Sequence, residues 1–185
     1  IQDAIDRLVE SKSGTTALGS ISADEPNLLL EAVFVLEPMA DPRWHVDRFL
    51  PPTPVRVIVD LRGEEVGREY SDESIAAGFE DLDPHRFLET GVFGAAQLKE
   101  MTAVATTAAE ERATAVRAAA RAAAESALGE DIARLTALQR INDHVRPEEV
   151  ALARQQQEQT VKAVRESRLR LDALRLIVAG EMGAE

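Results

Sequence analysis

From Gly94 to Asn142 the sequence contains no proline, and alanine dominates Ala95 to Ala127, including the runs Ala118 to Ala120 and Ala122 to Ala124. Alanine has the highest intrinsic helix propensity and proline the lowest, so such a stretch predicts one long helix. Its weak point is Gly129, which costs about 1 kcal/mol against alanine in a helix interior. The expectation is a helix that runs through it. An inward edge follows at helical spacing: Leu98, Met101, Val104 or Ala105, Ala108, Val116, Ala119, Ala120, Ala123, Ala127, Ile132, Leu135 and Leu138.

The pattern breaks at Asn142 to Arg146, and Pro147 sits where the first turn of a helix tolerates it, followed by Glu148 and Glu149 to complement the helix dipole. A second helix is expected from Pro147 to about Leu171, presenting Val150, Ala153 or Arg154, Gln157, Val161, Val164 and Leu171. So short a connection makes the two helices antiparallel neighbours. The closing run Leu174 to Ala179 is apolar and β-branched. It either prolongs the helix or adds a strand, and the strand is preferred because it ties the hairpin back to a sheet.

Before Gly91 to Gly94 the periodicity is of another kind. Leu28 to Glu37 (LLLEAVFVLE), bounded by Pro26 and Pro38, predicts a strand buried on both faces. Val55 to Asp60 sets Val55, Val57 and Val59 against Arg56, Ile58 and Asp60, which predicts a strand with one face towards the core. Between them, Trp44, Val46 and Phe49 suggest an edge strand that the prolines of Leu50 to Pro54 end. Leu61 to Glu64 reads as a turn with Gly63 at positive φ, and Glu65 to Tyr70 as a short returning strand. Ser71 or Asp72 then caps a short helix through Leu82, with Ile75, Phe79 and Leu82 inward. At the start, Ile1 to Lys12 reads as an amphipathic helix, and the first residue Ile1 suggests a piece of a longer protein.

With 185 residues, 45% of them apolar, the chain suffices for one sizeable core. The expected fold class is α+β: a small, mostly antiparallel sheet with short helices, plus a long antiparallel helical hairpin. An α/β portion over residues 1–93 and a hairpin with its C-terminal segment over 94–185 are expected to make one accessory domain.

The absence of cysteine excludes disulfides and thiolate metal sites, and favours a reducing, cytoplasmic setting. The longest apolar run, Leu28 to Leu36, falls far short of the roughly 20 residues a membrane span requires. No membrane contact is expected. The 33 acidic against 21 basic residues give a formal charge of −12, which argues against autonomous nucleic-acid binding, although a local arginine patch remains able to touch a strand held by a neighbouring domain.

Catalytic signatures are missing. No glycine-rich phosphate loop followed by Lys is present, and none of Lys12, Lys99 and Lys162 follows a glycine. His45, His85 and His144 are scattered and form no H-x-x-x-H pair, so no metal and no cofactor is expected. Adjacent carboxylates such as Glu110-Glu111 and Glu148-Glu149 diverge by about 100° on a helix, which makes a shared acid–base site improbable. Gly19 to Ser22 supplies no nucleophile elbow. No catalytic residue is expected, and a hydrolase built on Asp and Glu ranks last.

Two segments, Phe49 to Asp60 (FLPPTPVRVIVD) and Arg170 to Val178 (RLDALRLIV), resemble the C-terminal region of the RapA family, bacterial RNA polymerase-associated ATPases of the Swi2/Snf2 class. The run LLLEAVFVLE before the first segment and Ile132 to Val150 before the second support the resemblance, which spans most of the chain. It implies a DNA-binding, ATP-hydrolysing parent that binds RNA polymerase and promotes its recycling, with a motor of two RecA-like lobes upstream. The chain itself is then a non-catalytic accessory domain that provides architecture and a docking surface. The alanine-rich Ala95 to Ala127 departs from the family in offering few side chains to compare.

Partner-contact candidates come from the two segments. Phe49, Pro51 and Pro52 belong to a rigid extended stretch that either docks on a partner or stiffens the entry to the Val55 strand. Arg168, Arg170 and Arg175 either reach polymerase or nucleic acid, or offset helix C-terminal carbonyls and surface carboxylates. The rival reading is a stand-alone structural or oligomerisation module built on the hairpin, whose apolar edge otherwise packs on its own sheet.

Overall fold

The computed structural model describes residues 16–83, 87, 93–142 and 144–180. The amphipathic stretch Ile1 to Lys12 and His85 lie outside them. Five strands, β1 (Thr16–Ile21), β2 (Asn27–Glu37), β3 (Thr53–Asp60), β4 (Glu80–Asp81) and β5 (Arg168–Ala179), form a sheet in the order β3-β2-β5-β1-β4. The α-helices whose bounds lie among the described residues are α1 (Asp72–Gly78), α2 (Ala95–Gln139) and α3 (Pro147–Arg165). The fold is α+β with a mostly antiparallel sheet. β1 and β5 are its parallel pair, in register from Thr16 opposite Leu174 to Ile21 opposite Ala179. Arg175 meets Glu31 while Arg170 meets Glu37, so β5 runs antiparallel to β2.

The described residues divide into two compact units interleaved along the chain: those within the ranges Ile1–Phe34, Val55–Glu111 and Leu171–Glu185 make the first, and those within Val35–Pro54 and Arg112–Arg170 the second.

In the first unit one sheet face carries Ile21, Leu29, Ile58, Ile177 and Ala179, covered by Ile75 of α1 with Val66, Tyr70 and Phe79 partly buried around them. Side chains alternate along a strand, so the opposite face takes Leu28, Leu30, Val57, Val59, Leu176 and Val178, all buried. Two buried faces explain why β2 reads as a nearly unbroken apolar run. They also correct the expectation for β3. Its second face is not solvated, since Ile58 is fully buried and Asp60 nearly so.

Asp60 is tolerated because it organises the turn that follows. Its Oδ1 accepts from the amides of Arg62 and Glu64 at 2.9 and 2.8 Å, and Gly63 takes φ 78°. The expected returning strand over Glu65 to Tyr70 reduces to a single bridge, Val59 opposite Glu65. α1 stops at Gly78 rather than Leu82, because Phe79 turns extended and Glu80–Asp81 pair with Ser20 and Gly19 as β4. Ser71 caps α1, its Oγ accepting from the Ser74 amide at 3.1 Å.

α2 runs unbroken through Gly129, as its alanines predict. Its buried stripe is Leu98, Met101, Ala105, Ala109, Ala113, Ala120, Ala124 and Leu128. The sequence places the stripe correctly at Leu98, Met101, Ala120 and, as one of two alternatives, Ala105, but it also assigns Ala119 and Ala123, which are exposed, and Ala127, which is half-buried. Among alanines one face is as apolar as the next, so hydropathy cannot fix the rotation.

The second unit holds α3 antiparallel to α2. Gln157 Nε2 donates to Glu125 O at 3.1 Å, and Arg117 Nε and Nη2 donate to Ser167 Oγ and O, both at 3.2 Å. Ala113, Ala120, Ala163 and Val164 pack with Leu36, Trp44, Val46 and Leu50. α3 ends at Arg165, not near Leu171. The Val164 carbonyl accepts from both Ser167 N and Ser167 Oγ, at 3.3 and 2.8 Å, and the chain leaves the helix for β5. The final strand therefore begins at Arg168, earlier than the Leu174 that its apolar run suggests.

Candidate docking surface

The segment from Pro38 to Pro52 is not an edge strand. It forms two 3-10 turns, Pro42–Trp44 and Val46–Arg48, joined at His45 with φ 49° and ψ 43°. Asp41 starts the first, accepting at Oδ1 from the Arg43 amide at 3.0 Å, and Pro42 follows with φ already fixed. The left-handed residue between the turns lets Trp44 and Val46 both point into the core. Inward residues two apart are what a strand would also give, which is why periodicity alone misreads this segment. Thr160 Oγ1 of α3 fastens it, donating to the buried Trp44 carbonyl at 3.3 Å.

These turns enclose an open groove of about 430 Å³. Pro38, Pro42 and Pro52 wall it over the buried Val46 and Leu50, while Glu37, Asp41, Asp47 and His45 supply its polar atoms. No lysine or arginine lines it. Glu37 receives Arg170 Nε at 3.3 Å, and Asp41 holds Arg43 Nε at 3.3 Å. Asp47 is exposed and makes no ion pair among the described residues.

Of the residues singled out in the sequence, Pro52 lines this groove and Arg170 reaches its edge through Glu37. Pro51 is exposed beside it, with its carbonyl accepting from Thr53 Oγ1 at 2.7 Å. Phe49 is half-buried, and its ring carries the Arg48 guanidinium at 5.2 Å. Arg168 is exposed at the start of β5. Arg168 and Arg170 both lie on β5, beyond the end of α3 at Arg165, and Arg170 pairs with the carboxylate of Glu37.

Arg175 lies in the first unit and is engaged there. Its Nε is 3.1 Å from Glu31 Oε2, and its guanidinium stands 5.0 Å above the Phe79 ring. Glu31 Oε1 accepts from Arg56 Nε at 2.6 Å, and Arg56 also bonds the Tyr70 carbonyl at 2.9 Å and Asp72 at 2.6 Å. This buried carboxylate between two arginines on neighbouring strands escaped the reading of the sequence. Its signal was one glutamate inside LLLEAVFVLE, since a charge in a doubly buried strand requires partners. The proline bracket around Trp44, Val46 and Leu50 was the corresponding signal for the groove.

Charge is divided unevenly. Over its sequence ranges the first unit has 22 acidic against 8 basic residues, and the second 11 against 13. The acidity that argues against phosphate binding thus belongs to the first unit, while the groove-bearing unit is nearly neutral. Among the described residues no group of three or more His, Cys, Asp or Glu is placed to hold a metal ion. No helix among them is long and apolar enough to cross a membrane.

The sequence profile of the RNA polymerase recycling family, C-terminal region, matches residues 1–179. The chain belongs to this family. Among its relatives, the RNA polymerase-associated protein RapA of Vibrio cholerae is 29% identical over 183 residues, 96% of this chain. RapA of Actinobacillus pleuropneumoniae is 28% identical over 184 residues, or 98% of the chain, and that of Serratia proteamaculans 28% over 181, or 96%. The chain spans 19% of the length of these relatives. In this chain the two segments that carry the resemblance fall on β3 with its proline entry and on β5.

Proposed function

We propose that this chain is a non-catalytic accessory domain of an ATP-driven RNA polymerase recycling protein, contributing architecture to a motor that lies elsewhere and a docking surface for the polymerase. The observation that carries the docking half is the second unit's 3-10 segment, held rigid by prolines and by the Thr160 to Trp44 bond, with a groove open beside Pro52 and Arg170. A rigid surface loses little conformational freedom on binding, which favours recognition. The non-catalytic half draws on the sequence, which has no phosphate loop and no nucleophile elbow. Direct contact with nucleic acid is no part of the proposal.

The test is binding of the chain to purified core RNA polymerase by surface plasmon resonance, beside a phosphate-release assay with ATP. Weakening by the pair Pro52→Arg and Arg170→Glu, at unchanged melting temperature, is the expected result. ATP turnover by the chain that a point change abolishes would refute the non-catalytic reading. Unaltered polymerase binding in the double variant would refute the docking site.

A second reading, a hairpin that self-associates, is favoured by Ile141, 83% exposed just beyond α2, and by Leu152, 59% exposed on α3. Sedimentation separates the two: a dimer that Ile141→Asp dissolves would support it.

A further inference from the structure

We infer that the groove beside Pro52 receives a short extended segment of a partner protein in which an aliphatic side chain is followed by a lysine or arginine. This rests on the docking reading above and adds the chemistry of what is docked. Four observations select that occupant. Pro38, Ala40, Pro42 and Pro52 present apolar surface above the buried Val46 and Leu50 in a cavity of about 430 Å³, which takes an aliphatic side chain but is short for the successive anchors of an amphipathic helix. No Phe, Tyr or Trp lines the groove, although proline-rich ligands dock on grooves lined by such rings. No arginine or lysine lines it, and Arg170 and Arg43 at its edge are already engaged by Glu37 and Asp41, which disfavours a phosphorylated or acidic segment. Three carboxylates line it, and Asp47 has no ion-pair partner among the described residues, which leaves it to meet a cation.

The backbone agrees. His45, which lines the groove, holds a left-handed conformation that non-glycine residues seldom adopt, and it does so between two 3-10 turns, the first of them opened by Pro42. Conformations of that kind persist where the surroundings over-determine them, and they cluster at binding sites. The groove is therefore shaped before any partner arrives.

The probes are two short synthetic peptides, one with a Leu-Arg pair flanked by Gly and Ser, the other with Leu-Glu in its place. They are titrated into the isotope-labelled chain and followed by amide chemical shifts. The expected result is saturable shifts at His45, Val46, Asp47 and Leu50 with the Leu-Arg peptide only. Asp47→Lys should weaken that binding by roughly threefold or more, the effect of reversing one exposed charge. Ala40→Trp fills the groove from an exposed position and should abolish it. Shifts spread over the acidic first unit and indifferent to both variants would overturn the inference, as would equal binding of the Leu-Glu peptide. Polymerase binding of the same variants is read separately. If Asp47→Lys and Ala40→Trp lose the peptide and keep the polymerase, the groove chemistry stands and the polymerase-docking reading falls. If they lose the polymerase and the chain never bound the peptide, the groove chemistry falls and the docking reading stands.

Discussion

Glu31→Ala removes a carboxylate that two arginines share inside the first unit. Glu31 is 4% exposed, with Arg56 Nε at 2.6 Å from one oxygen and Arg175 Nε at 3.1 Å from the other. Removing one partner of a buried ion pair costs about 3 to 5 kcal/mol, because the charge left behind has lost its water and gained nothing. Here the loss is smaller. The Arg56 and Arg175 side chains are 21% and 38% exposed, so each guanidinium recovers solvent, and Arg56 retains Asp72 and the Tyr70 carbonyl. The expected destabilisation is about 2 to 3 kcal/mol. Glu31→Gln keeps the volume and one acceptor oxygen, and should cost about 1 to 2 kcal/mol. Replacing Glu31, Arg56 and Arg175 together by Met removes every stranded charge and should recover much of the loss. Urea unfolding followed by far-ultraviolet circular dichroism measures all three, with the slope against denaturant unchanged. A Glu31→Ala protein within about 0.5 kcal/mol of the parent would refute the argument, since surface substitutions alone do as little.

Three further outcomes follow from the same structure. Thr160→Val leaves the buried Trp44 carbonyl without its donor and should cost about 1 to 3 kcal/mol, with a shift in the emission of the single tryptophan; unchanged emission and stability would show that the bond is dispensable. Gly129→Ala should stabilise by roughly 0.5 to 1 kcal/mol, because the added Cβ makes ordinary contact with Gln157 Nε2 at 3.5 Å and the helix gains propensity; a lower melting temperature would count against a regular helix there. The phenol of Tyr70 is held above its ordinary value of 10.0, first by burial and then by Glu69, Asp60 and Glu25. The folded state thus binds that proton more tightly than the unfolded chain, so its contribution is complete below pH 10.0 and is lost as pH rises beyond it. Absorbance titration of this one tyrosine should give a midpoint above 10.0, and a midpoint at or below it would contradict the assigned surroundings.

Local composition settled the long helix, the doubly buried β2, the turn at Gly63 and the return of the chain to the sheet after the hairpin. In each case a short-range rule suffices: alanine propensity, an unbroken apolar run between prolines, the φ that only glycine takes without strain. The family was legible too, in the segments that became β3 and β5. Sequence alone did not place the rotation of α2, because alanine faces are indistinguishable until bulky partners such as Trp44 and Leu50 choose one. It did not show that Trp44 and Val46 are buried by a left-handed joint and not a pleat, since both geometries turn residues two apart inward. Nor did it show that Glu31 would find Arg56 and Arg175, or that Glu37 would find Arg170, because those pairs close only when β2, β3 and β5 lie side by side. Hydropathy and propensity act over a few residues, whereas a groove or a buried charge pair is made by residues far apart in the chain, and only the folded arrangement decides which of them meet.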